Sequence, residues 1–225
     1  MSRPFRPSAL MALALLTACA SSPRRPWEDK DYPGTLQPAG VLTTDVLWQQ
    51  RVTATWGEDG HRGFDAAVQK QGDVLTVIGL SPTGSAGYAM ILRGMEIELK
   101  NDSGEELPFP PRFILLDVQR TFYPWLGAQP TDGTREADVF GEHVRETWRS
   151  GHLVERRFER LDAQPKGVIT ITYVWTDADA GRLAPRQVVL DNGWFGYRLV
   201  IDTHVESRLP PVQQAGQQAA QQSAQ

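Results

Sequence analysis

Cysteine is nearly absent from this chain, because Cys19 is the only one among 225 residues. A disulfide bridge within the chain is therefore excluded, and a lone thiol so near the N-terminus needs another role. Long apolar runs are also missing, since no stretch of about 18 apolar residues, the length of a transmembrane helix, follows the N-terminal region. With 40% hydrophobic residues, the sequence predicts one soluble domain with a sizeable core.

An excess of basic residues is also missing. The chain has 23 Lys and Arg residues against 27 Asp and Glu residues, a formal net charge of −4. Without Arg3 and Arg6, which belong to a predicted leader, 21 basic residues stand against 27 acidic ones, a net charge of −6. This balance argues against nucleic acid as a partner, because phosphate backbones are bound by clustered Lys and Arg.

Catalytic and metal-binding motifs do not occur in the sequence. Neither a G-x-S-x-G elbow nor a phosphate-binding glycine loop is present. A third possible function, that of an esterase, therefore has no motif to support it. The histidines lack the spacing of a zinc site and are expected to be exposed or hydrogen-bonded. We therefore predict a protein that is not an enzyme and needs no metal or cofactor. The candidates that form no constellation are Ser81, Ser85, Ser150, His61, His143, His152 and His204.

The first 18 residues have the pattern of a secretory signal. Arg3 and Arg6 precede an apolar run, Ala9 to Leu16, which is too short to cross a bilayer. Leu16-Thr17-Ala18-Cys19 then resembles the bacterial lipobox, in which the cysteine is acylated and becomes the new N-terminus. The alternative is an ordinary cleaved signal followed by a stray free cysteine. Since two or more acyl chains give stable anchoring, the lipobox predicts a membrane partner reached through Cys19.

The segments around the domain are predicted from their composition. No Asp follows Cys19, which by resemblance to enterobacterial lipoproteins favours the outer membrane, on its periplasmic side. Residues 19–39 are rich in Pro and charge and predict an extended, lipidated tether. Residues 210–225 are rich in Gln and Ala and predict a disordered tail. The folded domain is thus expected at residues 40–209.

Apolar alternation and turn residues predict about ten antiparallel strands. Met95, Ile97 and Leu99 are expected to face the core, and the run from Val74 to Leu80, apolar on both faces, to be covered on both sides. Residues 127–138 predict a long surface connection, and the two polar strands that follow are expected to be edge-like or washed by solvent. The predicted strands are 47–56, 64–70, 74–80, 88–93, 95–100, 143–149, 152–160, 168–175, 186–190 and 195–204.

One amphipathic helix is predicted between two proline signals. Pro110 and Pro111 suit a first helical turn, and Pro124 blocks continuation. Ile114, Val118 and Phe122 repeat every four residues and form an apolar stripe. The polar residues Arg112, Asp117, Gln119 and Arg120 are expected to turn away from the core. The helix is interpreted as a lid or plug over the sheet, and a helix that completes a solid core is the alternative.

Three segments resemble a family of bacterial lipoproteins without assigned function that is similar to the lipoprotein receptor LolB and its periplasmic partner LolA. They are residues 50–56, residues 64–84 and the sequence LPFPPRFILLDVQ at residues 107–119. The resemblance covers residues 41–205. It implies a mainly β (α+β) fold, an open antiparallel half-barrel with a helical lid, and an apolar cavity for acyl chains.

The predicted function is binding of a lipid or another long apolar chain, with a structural lipoprotein of solid core as the alternative. The candidate lining residues are Phe64, Val68, Leu75, Val77, Met90, Leu92, Ile169, Ile171, Tyr173 and Leu199 from the sheet and Ile114, Val118 and Phe122 from the helix. The turn with Pro82, Thr83 and Gly84 matches the place where LolB-like proteins carry a protruding loop with an exposed Leu. Because Thr83 stands there, we expect no insertion of this loop into a membrane.

Overall fold

A computed structural model describes residues 32–80, 84, 86–102, 104, 107, 109–127, 132–161 and 167–211. The predicted leader, Cys19 and nearly all of the predicted tail lie outside these residues. Within the described part, eleven strands form one sheet and a single α-helix packs against it. The strands are β1 (Val46–Trp56), β2 (Gly60–Gln71), β3 (Val74–Leu80), β4 (Ala86–Arg93), β5 (Glu96–Asn101), β6 (Gly133–Val139), β7 (Glu142–Arg149), β8 (His152–Arg160), β9 (Val168–Val174), β10 (Gln187–Asn192) and β11 (Tyr197–Arg208), and the helix is α1 (Pro111–Phe122).

The sheet is an open antiparallel meander. Its order is β5-β4-β3-β2-β1-β11-β10-β9-β8-β7-β6, so each strand lies beside its neighbours in sequence, except where β1 pairs with β11. The edges β5 and β6 do not pair with each other, and the barrel is therefore not closed. The mainly β, half-open fold expected from the sequence is confirmed.

Ten of the strands correspond to the predicted ones, and β6 was missed. All of it except Val139 lies in the segment predicted to be a surface connection, and its sequence GTREADV has Ala137 and Val139 as its only apolar residues. As an edge strand with mostly exposed side chains, β6 has no alternation to detect. Because β6 forms the edge, the prediction that the next two strands are edge-like was wrong: β7 and β8 are interior strands.

Two predictions about burial in the first half of the sheet were also wrong. Met95, in the turn before the edge strand β5, and Leu99, on that strand, are 55% and 43% exposed and do not face the core. On β3, Leu75 and Val77 are buried, but the other face of the strand is only half-buried. The helix covers the same face as Leu75 and Val77, which we call the inner face.

The helix begins and ends close to the predicted bounds. Pro110 is its N-cap residue, Pro111 is its first residue, and Tyr123 follows its last turn. However, the polar side chains Asp117, Gln119 and Arg120 are buried, against the prediction that they turn to solvent. Arg112, the fourth, is half-buried and donates to the backbone carbonyl of Tyr32 at 3.1 Å.

The N-terminal segment of the described chain covers this polar side of α1. The backbone N–H of Gln37 donates to the Gln119 side chain at 2.8 Å, and the Gln119 amide donates back to the Gln37 carbonyl at 2.6 Å. Tyr32, Leu36 and Ala39 are buried as well. The packed domain therefore begins at or before Tyr32, earlier than the predicted boundary at residue 40, and residues 32–39 are not an extended tether.

The C-terminal end of α1 is attached to the sheet. Carbonyl groups in the last turn of a helix have no partner within the helix. Here the Arg120 carbonyl accepts from Arg156 at 2.6 Å, and the Thr121 carbonyl accepts from the Tyr173 hydroxyl at 2.8 Å. Burial raises the pKa of Tyr173 to about 12, so its hydroxyl keeps its proton and stays a donor. These bonds make α1 a fixed wall on the inner face of the sheet.

Candidate functional site: an apolar cavity

A cavity of about 550 Å³ lies between α1 and the inner face of the sheet. Its size falls within the ~300–1,000 Å³ of small-molecule sites, and its lining is apolar or aromatic at all but four positions, as in such sites. The four polar lining residues are Gln50, Arg62, Asp117 and Thr121. The others are Val52, Ala54, Trp56, Phe64, Ala66, Val68, Val77, Tyr88, Phe109, Ile114, Val118, Phe122, Leu190, Phe195, Tyr197, Leu199 and Ile201.

The cavity is closed at one end of β1 and open at the other. At the closed end Trp48 is buried and stacks on Phe122, with ring centroids 4.7 Å apart. Toward the β1–β2 turn the inner-face residues become more exposed, from the buried Val52 to Trp56, which is 48% exposed. Arg62 on β2 is exposed at the same end. We call this opening, between Trp56 and Arg62, the mouth.

A glycine in β3 makes room for an aromatic ring inside the cavity. A Cβ atom at Gly79 would lie 2.2 Å from the Tyr88 ring, so the ring crosses the backbone of the neighbouring strand there. Glycine within a strand often marks such a close approach. Tyr88 is therefore placed in the lining by the absence of a side chain at Gly79.

One carboxylate, that of Asp117, borders the cavity from the helix. It accepts hydrogen bonds from the hydroxyls of Tyr32 and Tyr197, and Asn192 donates to these same hydroxyl oxygens at 2.6 and 2.9 Å. Burial raises the pKa of Asp117, although Arg120 and the two hydroxyls oppose this shift. The polar groups at this wall thus bond to one another.

A buried ion pair lies beside this network. The Arg120 guanidinium is fully buried, donates to Glu142 at 2.8 Å and to the Pro33 carbonyl at 2.6 Å, and lies 4.6 Å from the centre of the Tyr32 ring. Burial raises the pKa of Glu142, and Arg120 acts in the opposite direction. The β7–β8 side of the inner face is therefore filled by charged and N-terminal groups, and the cavity lies on the side of β1–β4 and β10–β11.

The structure brings seven of the thirteen predicted lining residues together around the cavity. They are Phe64, Val68, Val77, Ile114, Val118, Phe122 and Leu199. The other six do not line it but are buried in the surrounding core, and they are Leu75, Met90, Leu92, Ile169, Ile171 and Tyr173. The sequence shows that a residue faces inward, but not whether another side chain fills the space above it.

Several lining residues were missed. On β1, Val52, Ala54 and Trp56 alternate with polar residues, and this pattern could have placed them in the lining. Phe109 comes from a connection without periodicity, so no sequence signal marked it. Phe195 lies in a turn of the structure, but it is in phase with Tyr197 and Leu199 in the predicted strand 195–204, and this alternation could have marked it. In the turn that matches the protruding loop of LolB-like proteins, Pro82 and Thr83 lie outside the described residues. Gly84 is exposed and has a φ of 80°.

Two features are absent from the part of the chain that the structure describes. Among those residues, no three His, Cys, Asp or Glu side chains converge in a way that could hold a metal ion. None of the helices described there has the length and apolar character needed to cross a membrane. Two histidines have clear neighbours, since His143 lies 2.7 Å from Asp138 and His152 stacks on Trp175 with centroids 4.3 Å apart.

An open antiparallel sheet wrapped around one helix, with an apolar cavity between them, defines the class of this protein. The chain belongs to the family described as protein of unknown function DUF3261, which it matches over residues 47–205. The family resemblance drawn from the sequence over residues 41–205 is confirmed over nearly the same span. No curated protein matches the chain.

Solved structures similar to this chain come from several bacteria. A LolA superfamily protein from Nitrosomonas europaea has 12% identity and a TM-score of 0.46, with 78% of this chain and 96% of that chain covered. A putative outer membrane lipoprotein-sorting protein domain from Vibrio parahaemolyticus has 10% identity and a TM-score of 0.38, with 76% and 92% covered. The lipoprotein LppX from Mycobacterium tuberculosis has 12% identity and a TM-score of 0.31, with 78% and 93% covered.

Proposed function

We propose that this protein is a lipid-anchored protein of the outer membrane, on its periplasmic side, that binds a lipid or another long apolar chain in the cavity. The single observation that carries the proposal is the apolar lining of a cavity of about 550 Å³ that opens at Trp56 and Arg62. Such binding would serve in the transport of lipid or of lipoproteins.

Binding would be driven by burial and not by covalent chemistry. Each methylene group moved from water into an apolar site contributes about 0.8 kcal/mol. Asp117, the acidic lining residue, is held by two tyrosine hydroxyls, so an apolar chain beside it would not strip a carboxylate of its partners. Both features favour a ligand with a long hydrocarbon part.

The anchor rests on the sequence Leu16-Thr17-Ala18-Cys19. Acylation at Cys19 would leave twelve residues, 20–31, between the membrane and Tyr32, the first described residue. The absence of Asp after the cysteine supports placement in the outer membrane. A binding domain held this close to a bilayer would exchange its ligand with that bilayer over a short distance.

Filling the cavity should reduce binding of an apolar probe. Ala66 lies on the inner face of β2, lines the cavity and is buried, so Ala66→Leu adds apolar volume inside it. We expect this variant to bind a fluorescent fatty-acid probe at least about ten-fold more weakly, because the ligand and the new side chain compete for one space. Fluorescence titration of the chain from residue 20 to residue 225 measures this.

The matched control is Ala67→Leu, the same substitution one residue later. Ala67 points to the other face of the sheet and does not line the cavity. Its affinity for the probe should stay within about two-fold of the native chain, since the cavity is unchanged. Equal affinities for Ala66→Leu and Ala67→Leu would contradict the proposal.

A structural or interaction lipoprotein without cargo is the second candidate. It is favoured by the buried pair of Arg120 and Glu142 and by the bonds that fix the end of α1, because a fixed wall suits a rigid scaffold as well as a binding site. The titration separates the two candidates, since a scaffold predicts no saturable probe binding by the native chain.

A further inference from the structure

A second groove, separate from the cavity, lies on the surface where the described chain begins. It encloses about 710 Å³ and is lined by Tyr32, Pro33, Gly34, Arg112, Phe113, Phe140, Gly141, Arg160 and Leu161. We call Arg112, Phe140, Arg160 and Leu161 the rim patch. Nothing in the proposed cargo binding uses these four side chains.

The apolar members of the rim patch are unusually exposed. Phe140 is 50% exposed and Leu161 is 46% exposed, and the two lie in adjacent connections, because the Leu161 N–H donates to the Gly141 carbonyl at 3.2 Å. Phe140 also has a φ of 54°, a conformation that costs a bulky residue energy. The Phe140 ring meets the Trp125 ring edge-on, with centroids 5.9 Å apart, but this contact leaves half of the Phe140 side chain in solvent. Turn formation alone does not call for a phenylalanine at a positive φ.

The charged members of the rim patch are both arginines. Among the described residues, none of those that line this groove is acidic. Arg112 donates to the Tyr32 and Gly34 carbonyls, and the Arg160 guanidinium lies 5.9 Å from the centre of the Trp194 ring. Guanidinium groups bind phosphate well, so arginines flanking exposed apolar side chains match the headgroup and acyl layers of an anionic bilayer.

The strand register places the rim patch at the same end of the sheet as the cavity mouth. At this end of the sheet, Arg160 of β8 pairs with Glu142 of β7. Asn192 of β10 pairs with Tyr197 of β11, and Tyr197 pairs with Trp56 of β1. The turns next to Phe140 and Trp56 therefore lie at one rim of the sheet. Tyr32, which lines the groove, is thirteen residues after the predicted anchor site, a distance of at most about 47 Å for an extended chain.

We propose that the rim patch docks on an anionic phospholipid bilayer. Phe140 and Leu161 enter the interfacial layer, and Arg112 and Arg160 contact lipid phosphate groups. Docking in this orientation turns the cavity mouth toward the same bilayer. The docking does not depend on cargo binding, because the rim patch and the cavity lining share no residue.

Vesicle binding by the chain from residue 20 to residue 225, which has no acyl anchor, tests the proposal. We expect cosedimentation with vesicles of phosphatidylglycerol and phosphatidylcholine, and weaker binding to phosphatidylcholine alone. The double substitution Phe140→Asn and Leu161→Asn should lower the partition coefficient at least about ten-fold, because two apolar side chains no longer enter the interface. Asn tolerates the positive φ at position 140, so the turn is kept.

The double substitution Met95→Asn and Leu99→Asn is the matched control. These residues are 55% and 43% exposed, Met95 in the turn before the edge strand β5 and Leu99 on that strand, and neither lines the groove of the rim patch. Their loss should leave the partition coefficient within about two-fold of the native value, since the rim patch is intact. Equal losses in both double variants, or no binding by the native chain, would overturn the proposal.

A single substitution tests the role of charge and guards against misfolding of the double variant. Arg160→Gln should weaken binding to the anionic vesicles only and should flatten its dependence on salt. Thermal unfolding of each variant shows that it is folded. Unchanged salt dependence in Arg160→Gln would contradict the docking through phosphate.

Discussion

Two ion pairs on the inner face of the sheet are almost entirely removed from solvent. Arg120 contacts Glu142 at 2.8 Å, and Arg156 contacts Glu146 at 2.7 Å. Burying such pairs is costly, and their attraction offsets the cost only when the remaining donors and acceptors are also bonded. Arg156 meets that condition in part by donating to the Arg120 carbonyl. The pairs therefore fix the position of the helix more than they add to stability.

These buried charges could not be predicted from the sequence. Arg120 stands on the polar side of an amphipathic helix, and such a side is normally solvated. Its partners, Glu142 and the Pro33 carbonyl, are 22 and 87 residues away along the chain. Periodicity describes one element at a time, so it cannot show that the N-terminal segment covers the polar side of this helix.

At the residue scale, the prediction concerns acylation of Cys19. Cys19→Ser should abolish acylation and leave uncleaved precursor, because the thiol is the acceptor in the lipobox reaction. Metabolic labelling with a palmitate analogue, followed by electrophoresis, measures this, and the native chain should be labelled. Label of equal intensity on the Ser variant would show that the Leu16 to Cys19 pattern is not a lipidation site.

At the scale of elements, α1 is the wall that defines the cavity, and Arg120 fixes it. We expect Arg120→Met to lower the free energy of unfolding by about 3–5 kcal/mol, because Glu142 is left buried without its partner. Urea denaturation measures the loss. Adding Glu142→Leu to the same chain should recover a large part of it, since no uncompensated charge then remains.

An exposed ion pair provides the control for this prediction. Arg51 and Asp65 are 3.1 Å apart with about half of each side chain in solvent. Arg51→Met should cost less than about 1 kcal/mol, because exposed pairs are weakened by water and salt. If Arg120→Met cost no more than Arg51→Met, α1 would not be fixed by its buried charge.

The elements themselves were largely predictable. Strands with alternating apolar residues, such as β9, and the proline-bounded helix were located from local pattern alone, because each signal is contained within its own segment. β6 was missed for the opposite reason, since an exposed edge strand needs no apolar face. β7 and β8 are interior strands because β6 forms the edge beside them, so their position was missed together with β6.

At the scale of the whole molecule, the cavity exists because two halves of the inner face are filled differently. The half beside β7 and β8 holds the buried side chains of Arg120 and Arg156 and the start of the N-terminal segment, whereas the half beside β1 to β3 faces the apolar stripe of α1 across the cavity. Inward-facing residues of both halves were predicted from alternation. Only the assembled structure separates Val68 and Val77, which line the cavity, from Ile169 and Ile171, which are packed in the core.

The presence of a bound apolar ligand is the central claim, and native mass spectrometry tests it most directly. The chain from residue 20 to residue 225 is purified without detergent and sprayed under conditions that preserve non-covalent complexes. We predict a species heavier than the bare chain by the mass of a lipid, which is released on activation and is reduced in Ala66→Leu but not in Ala67→Leu. A spectrum with only the bare chain, even after incubation with fatty acid or phospholipid, would contradict the account.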